Sequence, residues 1–450
     1  MEGLENRVAE IDTPTDLTPT DPANVVTDNT QGGDDPENDP IVRVDANLVD
    51  LTRLSSQLDS ELAAAQEMLT RYIALEAWAN AMEQEKGYVH PTLQLGTELL
   101  LELTTVKSGI ESQDIIPSLE DLSSGSGTAS AIRVYAKKLL DALVRLGKKI
   151  GELFEKIYEI LTSRCRSSRL TILSIKAKMS LAKGGRATTK HIGLGSYGRV
   201  LAIRGYPITT PGDLYGAVGA VTTLVDAATI SHLNALLWVG EEIEKIINSD
   251  SFPNPAATEA RFTRAFSELG KTSLANECTR VVGNDPRFQA SGYVTTASEN
   301  LLGNKTLYLT KPKPGAAIGD TFGTVSYELM QTRLGDGDYE PKPGTQIQVM
   351  ELGMARRLLD MCEKGIGSIE RFDTADPGKK LVTAMGDIHR AANARVNRGG
   401  LDSTTSDLLY SASVAFSAAA TSPIRDLLTH LSTTVDACLD VIDRSVSAYD

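Results

Sequence analysis

The chain is 450 residues long, 41% apolar and 5% aromatic, with a formal net charge of −14. That length can bury a sizeable core and hold two or three domains, while so few aromatics argue against a single-strand nucleic-acid binder that works by base stacking. The charge is split: residues 1–120 carry 24 acids and 6 bases (net −18), the remainder 35 and 39 (net +4), and residues 121–190 alone 5 and 15 (net +10).

Residues 1–45, rich in Asp, Pro and Thr, cannot bury enough apolar surface to fold alone and are expected to be a disordered acidic segment. Over residues 49–85, Leu51, Leu54, Leu58, Leu62, Met68, Ile73 and Trp78 fall near one stripe, which predicts a helix. A break at "KGYVHP" leads to a shorter helix over about 92–107. The Ser/Gly stretch 123–130 reads as a flexible, protease-accessible joint. After it, Ile132, Ala136, Leu139, Leu143, Leu146, Ile150, Leu153, Ile157 and Ile160 step by 4-3-4-3-4-3-4-3, a seam sustained over four heptads. Lys137, Lys138, Arg145, Lys148, Lys149 and Lys156 lie largely off that seam. Basic residues then continue through Arg164, Arg166, Arg169, Lys176, Lys178, Lys183 and Arg186. Such a helix is either a bundle element with a solvated basic face or a surface for nucleic acid, an acidic partner or a membrane. The nine bases from Lys137 to Arg169 are the candidate DNA- or partner-binding residues.

Beyond residue 186 short β-like runs appear: "RVLAIRGYPI", "ASGYVTTA", "KTLYLTKP", "TVSYELMQTRL" and "TQIQVMEL". Val325, Tyr327 and Leu329 alternate as a half-buried strand should. Helices are expected over about 211–248, started by Pro211 and Asp213, and over about 256–282. From about 351 the pattern is helical again, with breaks near "DTADPGKK", at "NRGGLDSTTSD" and at Pro423. The predicted class is α+β. An acidic disordered N-terminus (1–45) and a helical acidic region (46–120) precede the Ser/Gly joint and long basic amphipathic helix (121–186). A central, mainly antiparallel β-containing domain (187–350) and a helical C-terminal bundle (351–450) follow.

Motifs of chemistry are scarce. Gly193, Gly195 and Gly198 in "GLGSYGRVLAIR" match a G-x-G-x-x-G loop. The kinase context fails: Arg204 stands nearest where a strand lysine is needed, "HRAAN" puts Ala391 at the catalytic Asp position, and no D-F-G follows. A dinucleotide site would need a strand before the glycines and a helix after, the reverse of the order here. A tight turn between strands is expected instead. His90, His191, His232, His389 and His430 show no metal-ligand spacing. Cys165, Cys278, Cys362 and Cys438 are far apart, as reduced, buried thiols would be. The N-terminus lacks the basic and apolar regions of a signal peptide, and no apolar run looks long enough for a membrane span. No enzyme, cofactor or metal is expected.

Three stretches carry a family resemblance: "YIALEAWANAMEQEKGYVHP", "SLEDLSSGSGTASAIRVYAKKLLDALVRLGKKIGELFEKIYEIL" and "SENLLGNKTLYLTKP". With the acidic-then-basic layout, they resemble the internal head (inner-body or prohead-core) proteins of giant phiKZ-like tailed bacteriophages. The resemblance implies a structural protein packaged in the virion head and made as a precursor. A prohead protease would remove its N-terminal propeptide after a Glu in a small-x-Glu tripeptide. The matching positions are Ser118-Leu119-Glu120, with Gly109-Ile110-Glu111 as second choice and Ala297-Ser298-Glu299 in a folded context. The implied partners are that protease, other internal head proteins, non-specifically bound packaged DNA and further copies of the chain. Two other classes remain open, a cytosolic scaffold or adaptor and a membrane-active protein ejected from the virion.

Overall fold

The computed structural model describes residues 40–84, 125–182, 187–249, 251–252, 254–283, 285–288, 290–313, 322–332, 345–374 and 377–449, and their side chains except at 40–48, 76–84, 125–142, 144 and 373–374. The acidic segment before residue 40, the short helix expected over 92–107 and the Ser118–Glu120 tripeptide lie outside the described residues. Contacts divide the chain into two units, Met1–Arg43 and Val44–Asp450, and the second holds nearly all of the described residues.

Two long helices come first, α1 (Pro40–Gln84) and α2 (Gly125–Leu181). Most of the Ser/Gly stretch read as a joint is thus the first turns of α2. Ser and Gly cost a helix only about 0.5–1 kcal/mol each, and extending an existing helix adds a hydrogen bond per residue fixed. Strands β1 (His191–Gly193), β2 (Ala202–Ile203) and β3 (Tyr206–Pro207) come after them. Next are α3 (Pro211–Ala227) and α4 (Leu233–Ile247), joined by a single π-helical turn, Ala228–His232. Thr210 starts α3 by accepting a hydrogen bond from the Asp213 amide at 3.2 Å, with Pro211 behind it. Judged by length and composition, α3–α4 could cross a membrane, which the sequence pattern did not announce. Its Leu214, Val218, Val221, Leu236, Val239 and Ile243 are all buried in the hydrophobic core.

Where one helix was expected over 256–282, α5 (Pro255–Ser267) stops early and is followed by the short α6 (Ser273–Asn276). A tertiary contact and a local cap follow its end. The Tyr327 hydroxyl donates to the Leu269 carbonyl at 2.8 Å, and Thr272 caps α6 through the Ala275 amide at 3.3 Å. Strands β4 (Arg280–Val281), β5 (Tyr293–Ala297), β6 (Lys305–Pro312) and β7 (Ser326–Gln331) form an antiparallel meander in that order. A final short strand, β8 (Gln346–Gln348), pairs with β1. Four helices complete the body, α7 (Leu352–Thr374), α8 (Pro377–Asn397), α9 (Ser403–Thr421) and α10 (Ile424–Val446), with breaks where the sequence put them.

One hydrophobic core runs through the second unit and includes both long helices. Helix α2 lies along α7, α8 and α10. Its Leu143, Leu146, Ile150, Leu153 and Ile157 are buried as the heptad seam requires. The stripe then slips by one residue: Ile160 is half-buried, and Leu161, Cys165, Ser168, Ile172 and Ile175 take the inner face. A 3.5-residue repeat drifts about 20° per heptad off a 3.6-residue helix, so a helix that does not supercoil must shift register. Gly147 is required by packing. A Cβ there would stand 2.7 Å from the His389 ring of α8, so this crossing admits no side chain.

Helix α1 also contributes to the core. Leu51, Leu54, Leu58, Leu69, Tyr72 and Leu75 are all buried, and each fully buried leucine contributes roughly 1.5–3 kcal/mol. The Tyr72 ring meets Tyr410 of α9 edge-on at 5.5 Å. Asp59 pairs with the buried Arg425 at the start of α10 at 2.6 Å. Glu61 pairs with Lys149 of α2. The pairing runs antiparallel, since Glu61 meets Lys149 while Asp50, earlier on α1, shares a cleft with Lys156 and Ile160, later on α2.

Candidate functional site

The candidate surface is the side of α2 turned away from the core. Lys137 and Lys138 lie on the helix, but their side chains are outside the described ones. Arg145, Lys148, Lys149 and Lys156 are exposed, one to two turns apart, because the apolar seam turns inward between them. They are not a pure basic patch, for Glu152, Glu155 and Glu159 alternate with them. Lys148 faces Glu152 at 3.6 Å, an exposed pair of little energetic weight. Lys149 meets Glu61 from α1. Lys156 lines a cleft of about 460 Å³ with Asp50, Arg53 and Gln57 of α1. An acidic helix therefore lies alongside the basic one.

The later bases behave differently. Arg164, assigned to the surface from sequence, is 2% exposed. Its guanidinium Nε donates to Ser432 Oγ at 3.0 Å and its Nη2 pairs with Asp436, whose carboxylate also accepts from Ser168 Oγ at 2.8 Å. Burial raises the Asp436 pKa against the opposing pull of Arg164. Arg164 is thus a core residue and leaves the candidate surface. Arg169 is half-exposed but grips Glu370 of α7 through two hydrogen bonds, Nε to Oε1 at 2.7 Å, which holds the Glu370 carboxyl below its usual range. Lys176 pairs with Glu363 at 2.7 Å, and Lys178 with Asp443 at 2.7 Å. Arg166 is exposed and makes no ion pair among the described residues. Much of the positive charge counted in this helix therefore answers acids on α7 and α10.

A signal for this was present in the sequence. Arg169 and Lys176 are seven residues apart, and so are their partners Glu370 and Glu363, as antiparallel helices in register require. Sequence reasoning missed a second feature. Leu170, Leu173 and Leu181 are exposed on the same outer side as Arg166, at 69%, 62% and 76%. The helix therefore carries apolar residues on both sides of its C-terminal third.

The glycine loop shows a turn. Gly195 sits at φ +52 in a 3-10 turn, Gly195–Gly198, between β1 and β2. The Leu194 amide donates to the Thr345 carbonyl at 2.9 Å, and the Tyr197 amide to the Leu194 carbonyl at 3.0 Å, so neither points at an open anion site. All four cysteines are free and buried, and burial pushes the thiols of Cys165 and Cys278 up to about 12. Among the described residues no group of three His, Cys, Asp or Glu side chains is placed to hold a metal ion.

No curated protein and no solved structure matches the chain. A family model does, described as phiKZ-like phage internal head proteins, over residues 43–444.

Proposed function

Because the chain belongs to the phiKZ-like phage internal head proteins, and so is a structural protein inside the phage head, we propose that it is made as a precursor and cut by the prohead protease after Glu120, and that the mature body contacts packaged DNA through the outer side of α2. The supporting observation is the way charge and fold coincide. The acidic half, net −18, ends in the segment between α1 and α2, and α1 pairs Glu61 with Lys149 and brings Asp50 into the cleft that Lys156 lines. While α1 is in place those lysines face carboxylates. DNA entering the head meets less repulsion, and more available lysines, only once the severed acidic segment has also been displaced from them. The contacting residues are Lys137, Lys138, Arg145, Lys148, Lys149, Lys156, Arg166 and Arg169. Arg145 and Arg166 carry most of the interaction because neither makes an ion pair among the described residues, whereas Arg169 must give up part of its grip on Glu370.

The test uses the full-length chain. Neutralising Asp50 and Glu61 (Asp50→Asn with Glu61→Gln) should tighten binding to duplex DNA of any sequence. Arg145→Glu with Arg166→Glu should weaken it and flatten the plot of log affinity against log salt by about 0.9 for each phosphate that is no longer neutralised. Unchanged affinity in both variants would remove the DNA contact. A second reading, contact with other internal head proteins, is favoured by Leu170, Leu173 and Leu181, since exposed apolar side chains suit a protein surface better than a phosphate backbone.

A further inference from the structure

We infer that cutting the chain between α1 and α2 does not by itself release the N-terminal piece: α1 stays seated in its groove, and the product is a two-chain body. This rests on the cleavage reading only for its biological setting, since the groove exists in the uncut chain.

The occupant is α1 itself. Over 25 residues, from Leu51 to Leu75, it turns a continuous apolar stripe inward, and that stripe belongs to the same core as the rest of the unit. The receiving surface comes from three elements distant in sequence. Helix α2 supplies Leu153 and Ile160 beside Leu54. Helix α9 supplies Tyr410 against Tyr72, and its Ala415, Ala418 and Ala419 line a cleft of about 520 Å³ with Leu62 and Leu69 of α1. The start of α10 supplies Arg425, which is 6% exposed and paired with both Asp59 of α1 and Asp426 of its own helix. Every one of these groups lies outside the segment that a cut would sever.

The physical nature of the seat matters as much as its existence. The ion pairs Arg425–Asp59 and Lys149–Glu61 help join α1 to the body, but its inward face is apolar from Leu51 to Leu75. Surface ion pairs weaken with salt, whereas apolar burial does not. If α1 were an electrostatic mask, salt would lift it. Held by its leucines, it must be displaced by something that competes for the groove or unfolds the helix.

The experiment inserts the recognition sequence of an unrelated site-specific protease between Leu122 and Ser123 of the full-length chain, cuts the purified protein to completion and runs it on native gel filtration in 0.1 M and 1 M NaCl. The two fragments should elute together, at the volume of the uncut chain, in both buffers, and separate only in denaturant. Separation in 0.1 M NaCl, or separation in 1 M NaCl alone, overturns the inference, the latter because it would show a seat held by charge. Leu58→Asp in the same cleavable chain should make the fragments separate after cutting. Whether the phage protease cuts at Glu120 is a separate question that this experiment leaves untouched, so the two readings fail independently.

Discussion

Replacing Arg164 with alanine should destabilise the protein by about 3–5 kcal/mol, the usual cost of breaking a buried ion pair from one side. The guanidinium bonds Ser432 Oγ and pairs with Asp436 inside the α2–α10 contact, and hydrogen bonds to charged groups contribute about 1.5–3 kcal/mol each. Truncation strands Asp436, whose pKa burial already pushes upward and which, among the described residues, keeps Ser168 as its hydrogen-bond partner. Against the ~5–15 kcal/mol that stabilises a domain, this is a large fraction. Arg166, two positions on and exposed, should lose no more than about 0.5 kcal/mol on the same substitution. Urea unfolding of the two variants measures the contrast. A third variant, Arg164→Met with Asp436→Leu, removes both charges and should recover most of the loss, because the desolvation cost goes with them. An Arg164→Ala protein that unfolds at the wild-type urea midpoint but binds DNA more weakly would refute the reasoning and return Arg164 to the surface.

Gly147→Ala should destabilise the fold even though alanine is the better helix former by about 1 kcal/mol, because its Cβ would press on His389; Gly386→Ala on α8, with open space around it, should stabilise by about 0.5–1 kcal/mol, and thermal melts compare the two. Acid should weaken the protein through its buried histidines, since burial lowers the pKa values of His232, His389 and His430 to about 3, 4 and 3. The unfolded chain protonates them below about pH 6.5 and the folded chain does not. Their contribution is therefore complete above pH 6.5 and falls toward pH 4, by up to ~1.4 kcal/mol per pH unit for each histidine. Asp436, Asp440 and Glu328, whose pKa values are raised by burial, act in the opposite sense as the pH nears the carboxylate range. Equal urea midpoints at pH 7.5 and pH 5.5 would contradict the histidine argument.

Periodicity carried most helices and strands, because each is a local pattern: the C-terminal breaks and strands β5, β6 and β7 fall where turn residues and alternation put them, whereas β4 lies where a helix was expected. What was not legible depended on partners far along the chain. Nothing near Arg164 announces that Asp436, 272 residues later, will bury it. Just past the end of α5, a tyrosine from β7 takes the Leu269 carbonyl. The slip from Ile160 to Leu161 reflects the mismatch between a 3.5-residue seam and a 3.6-residue helix, which accumulates along a 57-residue element. The basic surface was legible as composition but not as availability, since pairing with α1, α7 and α10 decides which cations remain free of carboxylates. Composition equally cast α1 as part of an acidic appendage, whereas its leucines are built into the core.

The central claim is that this internal head protein is processed between its acidic and basic halves, and intact-mass analysis with N-terminal sequencing of the protein from purified, DNA-filled particles tests it most directly. The account predicts a chain beginning at Asp121, or at Ser112 if the second tripeptide is used. A single full-length species beginning at Met1 in those particles would contradict it.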